Sequence, residues 1–199
     1  MYNDITGIIL CGGKSIRMGR NKAFLRLGDK FVIEVISNLM KQLFDRVMLI
    51  TNDINNYEFL NLETYGDMYI GKGPLGGIHS GLTHSNTEKN FIISCDIPLI
   101  TKDAIRFIAD YPSEKKIIVP YDEGFIQQMC GVYSKCCLGV IEEIIEQPDS
   151  KKCKVLELVE RAGGDIIDIS NIMSGYTQNM FLNMNDISNY HKVVELYTE

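Results

Sequence analysis

The sequence predicts an α/β protein of three layers, with helices on both faces of a mostly parallel sheet. The runs Ile5 to Cys11, Val47 to Thr51 and Phe91 to Cys95 are apolar without alternation, the pattern of strands covered on both faces. A helical stripe follows each of them, as parallel crossover connections require. The first run also leads straight into a glycine-rich, basic stretch from Gly12 to Lys22, beyond the carboxyl end of a strand, where open α/β sheets bind ligands.

That stretch reads as a cradle for a nucleoside triphosphate. Gly12, Gly13 and Gly19 let backbone N–H groups turn toward an anion with no side chain in the way. Lys14, Arg17, Arg20 and Lys22 concentrate positive charge there. A Walker loop ending in Gly13-Lys14-Ser15 would need glycine at position 8, which is Ile8, and Gly7 is out of register by one. A dinucleotide fingerprint would need Gly-x-Gly, whereas Gly12-Gly13 are adjacent. Both familiar phosphate loops are therefore excluded.

The chain continues with a helix over Phe31 to Leu43, whose apolar positions Val32, Val35, Ile36, Leu39 and Met40 share one face, and then the strand at Val47 to Thr51. A short helical segment near Tyr57 to Leu60 and a strand at Leu62 to Tyr65 come next. Gly73-Pro74 breaks the chain and opens a helix with core positions Leu75, Ile78 and Leu82. Taken alone, this is ordinary turn chemistry.

Asp96 follows the strand Phe91 to Cys95, at the sheet edge where a metal ligand would stand; capping of the next turn is the competing role. Thr101 caps a helix through Ile108, and Ile117 to Pro120 is a strand. Asp122-Glu123-Gly124 turns the chain into an extended stretch from Phe125 to Tyr133. Ser134 begins a helix through Ile144, Gln147 to Lys154 is an exposed polar connection, and Val155 begins another helix. Ile166 to Ile169 is a strand and Ser170 to Gln178 a loop. Asn183 and Asn185 alternate with Met184, so an extended chain there would put both amides on one side; an Asx-turn with an N-cap is the alternative.

Leu-Cys-Gly-Gly-x-Ser-x-Arg-Met-Gly-x-x-Lys, from Leu10 to Lys22, resembles the signature loop of nucleotidyltransferases, and most of all that of the molybdenum cofactor guanylyltransferases. Gly73-Pro74-Leu75-x-Gly77, Cys95-Asp96-x-Pro98-Leu99-Ile100 and Asn183-x-Asn185 resemble further segments of that family. The family usually has Ala at Cys11 and Asp at Asn21, and a His-Pro-Leu type strand where Gln127 to Tyr133 stands. The resemblance implies a Rossmann-like fold of the nucleotide-diphospho-sugar transferase type. It implies transfer of GMP from GTP to the phosphate of molybdopterin or molybdenum cofactor, with Mg²⁺ as cofactor. By resemblance, Arg17, Lys22 and Asp96 are catalytic, and Asp96 holds the metal. Leu10, Cys11, Gly12, Gly13, Lys22, Asp67, Gly73 and Asp96 contact the nucleotide, and Asn183 and Asn185 the acceptor. Transient contact with cofactor-supplying or molybdoenzyme-maturation proteins is implied as well. A sister transferase using CTP or UTP and a non-catalytic nucleotide-binding module stay open as alternatives.

With 199 residues, of which 45% are hydrophobic, one domain spanning 1–199 is expected, as a monomer or weak homo-oligomer. A formal net charge of −6 argues against general nucleic-acid binding. The chain lacks both a signal-peptide pattern and an apolar run of about eighteen residues, so no membrane span and a cytoplasmic location are expected. The six cysteines include no Cys-x-x-Cys pair and read as free thiols. The three histidines, His79, His84 and His191, are not spaced to share a site.

Overall fold

The first strand, β1 (Ile5–Leu10), is buried at every position, and its side chains divide between two separate cores. Ile5 and Ile9 pack into one, Ile8 and Leu10 into the other, which is why the segment shows no polar alternation. The computed structural model describes residues 1–12, 21–147 and 154–197.

After β1 come a 3₁₀ turn (Lys22–Phe24), the small hairpin of β2 (Arg26–Leu27) and β3 (Lys30–Phe31), and α1 (Val32–Lys41). Then follow β4 (Val47–Ile50), a 3₁₀ segment (Ile54–Leu60), β5 (Glu63–Tyr65), α2 (Gly73–His84) and β6 (Lys89–Ser94). The second half holds α3 (Lys102–Ala109), β7 (Ile117–Asp122), β8 (Phe125–Ile126), β9 (Cys130–Ser134) and α4 (Leu138–Glu146). It closes with α5 (Val155–Ala162), β10 (Asp165–Asp168), α6 (Ile169–Ile172) and α7 (Ile187–Leu196).

The main sheet has the order β10-β7-β9-β6-β1-β4-β5, with β8 hairpinned onto β7. All neighbours along it are parallel except β9, which runs antiparallel to both β6 and β7. One core lies under α1, α3 and α6, the other under α2, α4 and α5. This is the three-layer α/β/α arrangement expected from the sequence. Each fully buried Ile or Leu side chain contributes about 1.5–3 kcal/mol by leaving water, so the two cores supply most of the driving force.

Local chemistry explains the element ends. Thr101 Oγ1 accepts from the Ala104 N–H at 3.1 Å and starts α3, as expected. Asp186 Oδ1 does the same for Asn189 N–H at 2.8 Å and starts α7. At Gly81 on α2 an added Cβ would lie 2.8 Å from Ile8 Cγ2, so this helix can approach β1 only without a side chain there. Among the described residues, no helix is long and apolar enough to cross a membrane.

Three expectations need correction. Phe125 to Tyr133 is not one extended stretch: Gln127 N–H donates to Pro120 O at 2.8 Å, closing the hairpin, and pairing resumes only at Cys130. Ile169 does not end β10 but begins α6, which occupies part of the expected loop. The segment at Asn183–Asn185 is not extended, because Asn185 N–H donates to Asn183 O at 2.9 Å in a tight turn.

A third, smaller core holds Leu27, Val32, Met184 and Val193, and the Tyr190 hydroxyl donates to Arg26 O at 2.9 Å. These contacts fasten α7 onto the β2–β3 hairpin. They carry the Asn185 turn to the neighbourhood of Lys22.

Candidate functional site

The parallel register pairs Leu10 with Ser94 and, on the other side, Ile50. Beyond it, Cys11 N–H donates to Ile50 O at 2.9 Å and Cys95 N–H to Leu10 O at 3.1 Å. The carboxyl ends of β1, β4 and β6 therefore finish level with one another. A cavity of about 390 Å³ opens there, lined by Cys11, Gly12, Asn21, Lys22, Thr51, Asn52, Asp53, Tyr57, Ser94, Cys95 and Asp96. The sequence places a triphosphate at this edge, and the structure supplies the concavity.

Asp96 emerges just past β6. Its Oδ1 accepts from Ser94 Oγ at 2.6 Å, its backbone carbonyl accepts from Met184 N–H at 3.0 Å, and its Oδ2 lies 4.0 Å from Lys22 Nζ. The carboxylate does not cap the following helix, a task Thr101 performs. Lys22 Nζ also donates to Asn185 Oδ1 at 3.2 Å. One ammonium thus ties the phosphate loop, the β6 edge and the α7 turn together.

Asn21 stands where the resembling family has Asp. Its Oδ1 accepts from Ala23 N–H at 3.1 Å, capping the 3₁₀ turn, and its Nδ2 donates to the Tyr57 hydroxyl at 2.9 Å. The amide does both tasks without a charge. Lys22 is oriented by the turn that Asn21 caps.

Under the cavity, Cys11 Sγ donates to the same Tyr57 hydroxyl at 3.1 Å. The Cys95 thiol hydrogen-bonds Cys11, which lowers the pKa of Cys11 and raises that of Cys95, with burial adding to the rise. Burial pushes the Tyr57 phenol well above its ordinary value. The three side chains form a hydrogen-bonded floor under the cavity. The five described cysteines are free thiols, and Cys153 lies outside the described residues.

The residues predicted for catalysis and nucleotide contact fall into three groups. Cys11, Gly12, Lys22 and Asp96 share the cavity. Leu10 packs into the α2-side core, Gly73 opens α2 with a φ of +61°, and Asp67 reaches the cavity wall through Asn52. Asn52 Nδ2 donates to Asp67 Oδ2 at 2.9 Å, while Asp67 N–H donates to Asn52 Oδ1 at 2.8 Å. Gly13 and Arg17 lie outside the described residues.

Of the two asparagines, only Asn185 bonds Lys22; the Asn183 amide donates to Phe181 O at 3.3 Å. Both line a second cavity of about 420 Å³, with Asp122, Glu123, Phe125, Ile126, Gln127, Asn179, Phe181, Leu182 and Asn189. The Lys22–Asn185 bond links the wall of the first cavity to the wall of the second.

Sequence reasoning missed Asn52, Tyr57 and Ser94. Only Ser94 left a signal, as a polar residue just before Asp96 at the end of an apolar strand. Among the histidines, His79 is buried against Glu142 and His84 stacks on Tyr65, so neither belongs to the site.

The donor set fits magnesium. Asp96 offers one hard carboxylate at the cavity wall, and Mg²⁺ takes one or two carboxylates together with substrate phosphate oxygens. Among the described residues, no group of three or more His, Cys, Asp or Glu could hold a metal ion by protein ligands alone.

Residues 7–162 match the profile of the MobA-like NTP transferase domain. Over 196 residues the chain is 32% identical to the probable molybdenum cofactor guanylyltransferase of Carboxydothermus hydrogenoformans, covering 98% of each chain. Among solved structures, molybdopterin-guanine dinucleotide biosynthesis protein A from Archaeoglobus fulgidus superposes with a TM-score of 0.82 at 18% identity, covering 96% of this chain and 98% of that one. The manganese complex of Rv0371c from Mycobacterium tuberculosis superposes with a TM-score of 0.72 at 16% identity, covering 98% and 100%.

Proposed function

Because the chain belongs to the MobA-like NTP transferase family, we propose that it transfers GMP from GTP to the terminal phosphate of molybdopterin or its molybdenum-loaded form, releasing pyrophosphate. The observation that carries this reading is the position of Lys22, which lines the cavity at the strand ends and bonds Asn185 on the wall of the second cavity. A group transfer between two substrates needs two adjoining pockets with positive charge at their junction.

In this reading GTP occupies the cavity of Lys22 and Asp96, and the acceptor occupies the cavity of Asn183 and Asn185. An oxygen of the acceptor phosphate attacks the α-phosphorus of GTP. The new P–O bond forms as the bond to the β-phosphate bridging oxygen breaks, and pyrophosphate leaves with that electron pair. Both reactants are anions, so repulsion between them is the main barrier that the protein must lower.

Lys22 lowers it by placing an ammonium beside the reacting phosphates, already fixed by Asn185 and Asp96 before substrate arrives. Asp96, fixed by Ser94, would hold Mg²⁺. The metal, when bound, supplies charge neutralisation to the triphosphate. Gly12 lines the cavity, while Gly13 and Arg17 keep the phosphate role that their motif implies. Asn52, locked to Asp67, presents its polar side chain at the β4 side of the same cavity, where a base can be read.

The test is incubation with molybdopterin, Mg²⁺ and each of the four triphosphates, with products resolved by mass. GTP is expected to give the guanine dinucleotide adduct and pyrophosphate. Equal or better use of CTP, or no transfer at all, overturns the reading.

A further inference from the structure

We propose that Asp122 and Phe125 together recognise the pterin ring of the acceptor, Asp122 reading its 2-amino and N3–H edge while Phe125 stacks on its face. This rests on the acceptor assignment made above. The two residues sit directly opposite each other in the β7–β8 hairpin, and directly paired residues of an antiparallel ladder point to the same face with Cβ atoms about 4.5–5.5 Å apart. Both line the second cavity, which also holds Asn185 and through it touches Lys22.

Each residue is out of place for a purely structural role. Asp122 is 3% exposed, an uncommon burial for a carboxylate. Its Oδ1 accepts from the Tyr176 hydroxyl at 2.7 Å, and among the described residues its Oδ2 accepts no hydrogen bond. Burial pushes its pKa up, the sign of an anion held without enough compensating donors. Phe125 is the reverse case, an aromatic ring 73% exposed at the mouth of the same cavity.

A flat heterocycle with two adjacent N–H donors on one edge satisfies both at once. The 2-amino-4-oxo ring of a pterin has that edge: its donors match a carboxylate, and its face covers the Phe125 ring. With the ring held there, the phosphate end of the acceptor extends toward Asn185 and Lys22. A ring lacking the 2-amino group would leave the buried carboxylate short of a donor, the situation in which a site discriminates strongly.

The experiment is a fluorescence titration of the full chain with pterin and with lumazine, which carries an oxo group in place of the 2-amino group. The parent is expected to bind pterin at least about tenfold more tightly than lumazine. Asp122→Asn should bring that ratio close to one, and Phe125→Ala should weaken both ligands alike. Tyr176→Phe, which removes only the tyrosine hydroxyl, should leave the ratio as in the parent. Guanine shares the donor edge, so GTP affinity is measured alongside, and Asp122→Asn should leave it unchanged.

No preference for pterin in the parent, an unchanged ratio in Asp122→Asn, or the same collapse in Tyr176→Phe overturns the proposal. So does a loss of GTP affinity in Asp122→Asn equal to its loss of pterin affinity. These outcomes are independent of whether GMP transfer occurs, so failure of this inference and failure of the proposed function are told apart.

Discussion

Lys22 and Asn185, separated by 163 positions in the chain, are joined by a 3.2 Å hydrogen bond from the lysine ammonium to the asparagine side-chain oxygen. The same ammonium stands 4.0 Å from Asp96 Oδ2, so it is positioned from two sides with no ligand present. Lys22→Ala is expected to lower GMP transfer by roughly 10²-fold or more, the scale of losing one preorganised charge at a reacting centre. Its melting temperature should stay close to that of the parent, since the lysine packs into no core and its ion pair with Asp96 is long at 4.0 Å and open to solvent on one side. Steady-state kinetics with calorimetry check both, and parent-like turnover would remove Lys22 from the chemistry.

Asp96→Asn keeps the shape of the side chain and an acceptor for Ser94, but removes the charge. It should fold normally and lose most GMP transfer even at high Mg²⁺. A rate and magnesium dependence equal to those of the parent would place the metal elsewhere.

Asn52 is joined to Asp67 by two hydrogen bonds, one of them from the Asp67 backbone N–H. Asn52→Ala should raise the KM for GTP about tenfold, as expected when a polar group held in place for the ligand is removed, and leave the KM for the acceptor within twofold. A change confined to the acceptor would move the nucleotide to the other cavity.

What could be read from the sequence was local. β1, β4 and β6 announced themselves because burial on both faces demands unbroken apolar residues, and the phosphate loop and Asp96 follow directly from two of those strands. The position of β9 between β6 and β7 left no local trace, because strand order is set by pairing between distant segments. Asn183-Met184-Asn185 misled for a related reason. Met184 is buried between two polar neighbours as in a half-buried strand, yet a tight turn produces the same pattern. Tyr57 and Asn52 act through side-chain hydrogen bonds to residues 15 to 46 positions away, which no periodicity encodes.

The raised pKa of Asp122 gives a pH dependence with a definite sign. The folded state binds its proton more tightly than the unfolded chain does, so this carboxylate costs stability once pH exceeds the ordinary value of 3.8, and costs nothing well below it. Asp122→Asn, which still accepts from Tyr176, should therefore melt higher than the parent near neutral pH, on the order of a few degrees. The gap should close as the pH falls into the acid range. A gap that widens on acidification would mean that the buried carboxylate is already well compensated.

At Gly131 an added Cβ would lie 2.3 Å from the Ile118 carbonyl oxygen, a backbone atom with no room to retreat. Gly131→Ala should destabilise the protein by about 1–3 kcal/mol, read from the urea midpoint at unchanged slope. Parent-like stability would mean that β7 and β9 can separate at little cost.

The reversed strand β9 also divides the labour of the molecule. β9 stands between β6, whose end carries Asp96, and β7, whose hairpin carries Asp122 and Phe125, so among the described residues β6 and β7 are not paired directly. Insertions or substitutions at the β7–β8 turn are absorbed by a flanking ribbon and need not shift the strands that, on the proposed reading, hold the triphosphate. If the hairpin reads the acceptor as proposed, one scaffold can thereby be retargeted to new acceptors by changing a short hairpin while its donor chemistry stays fixed.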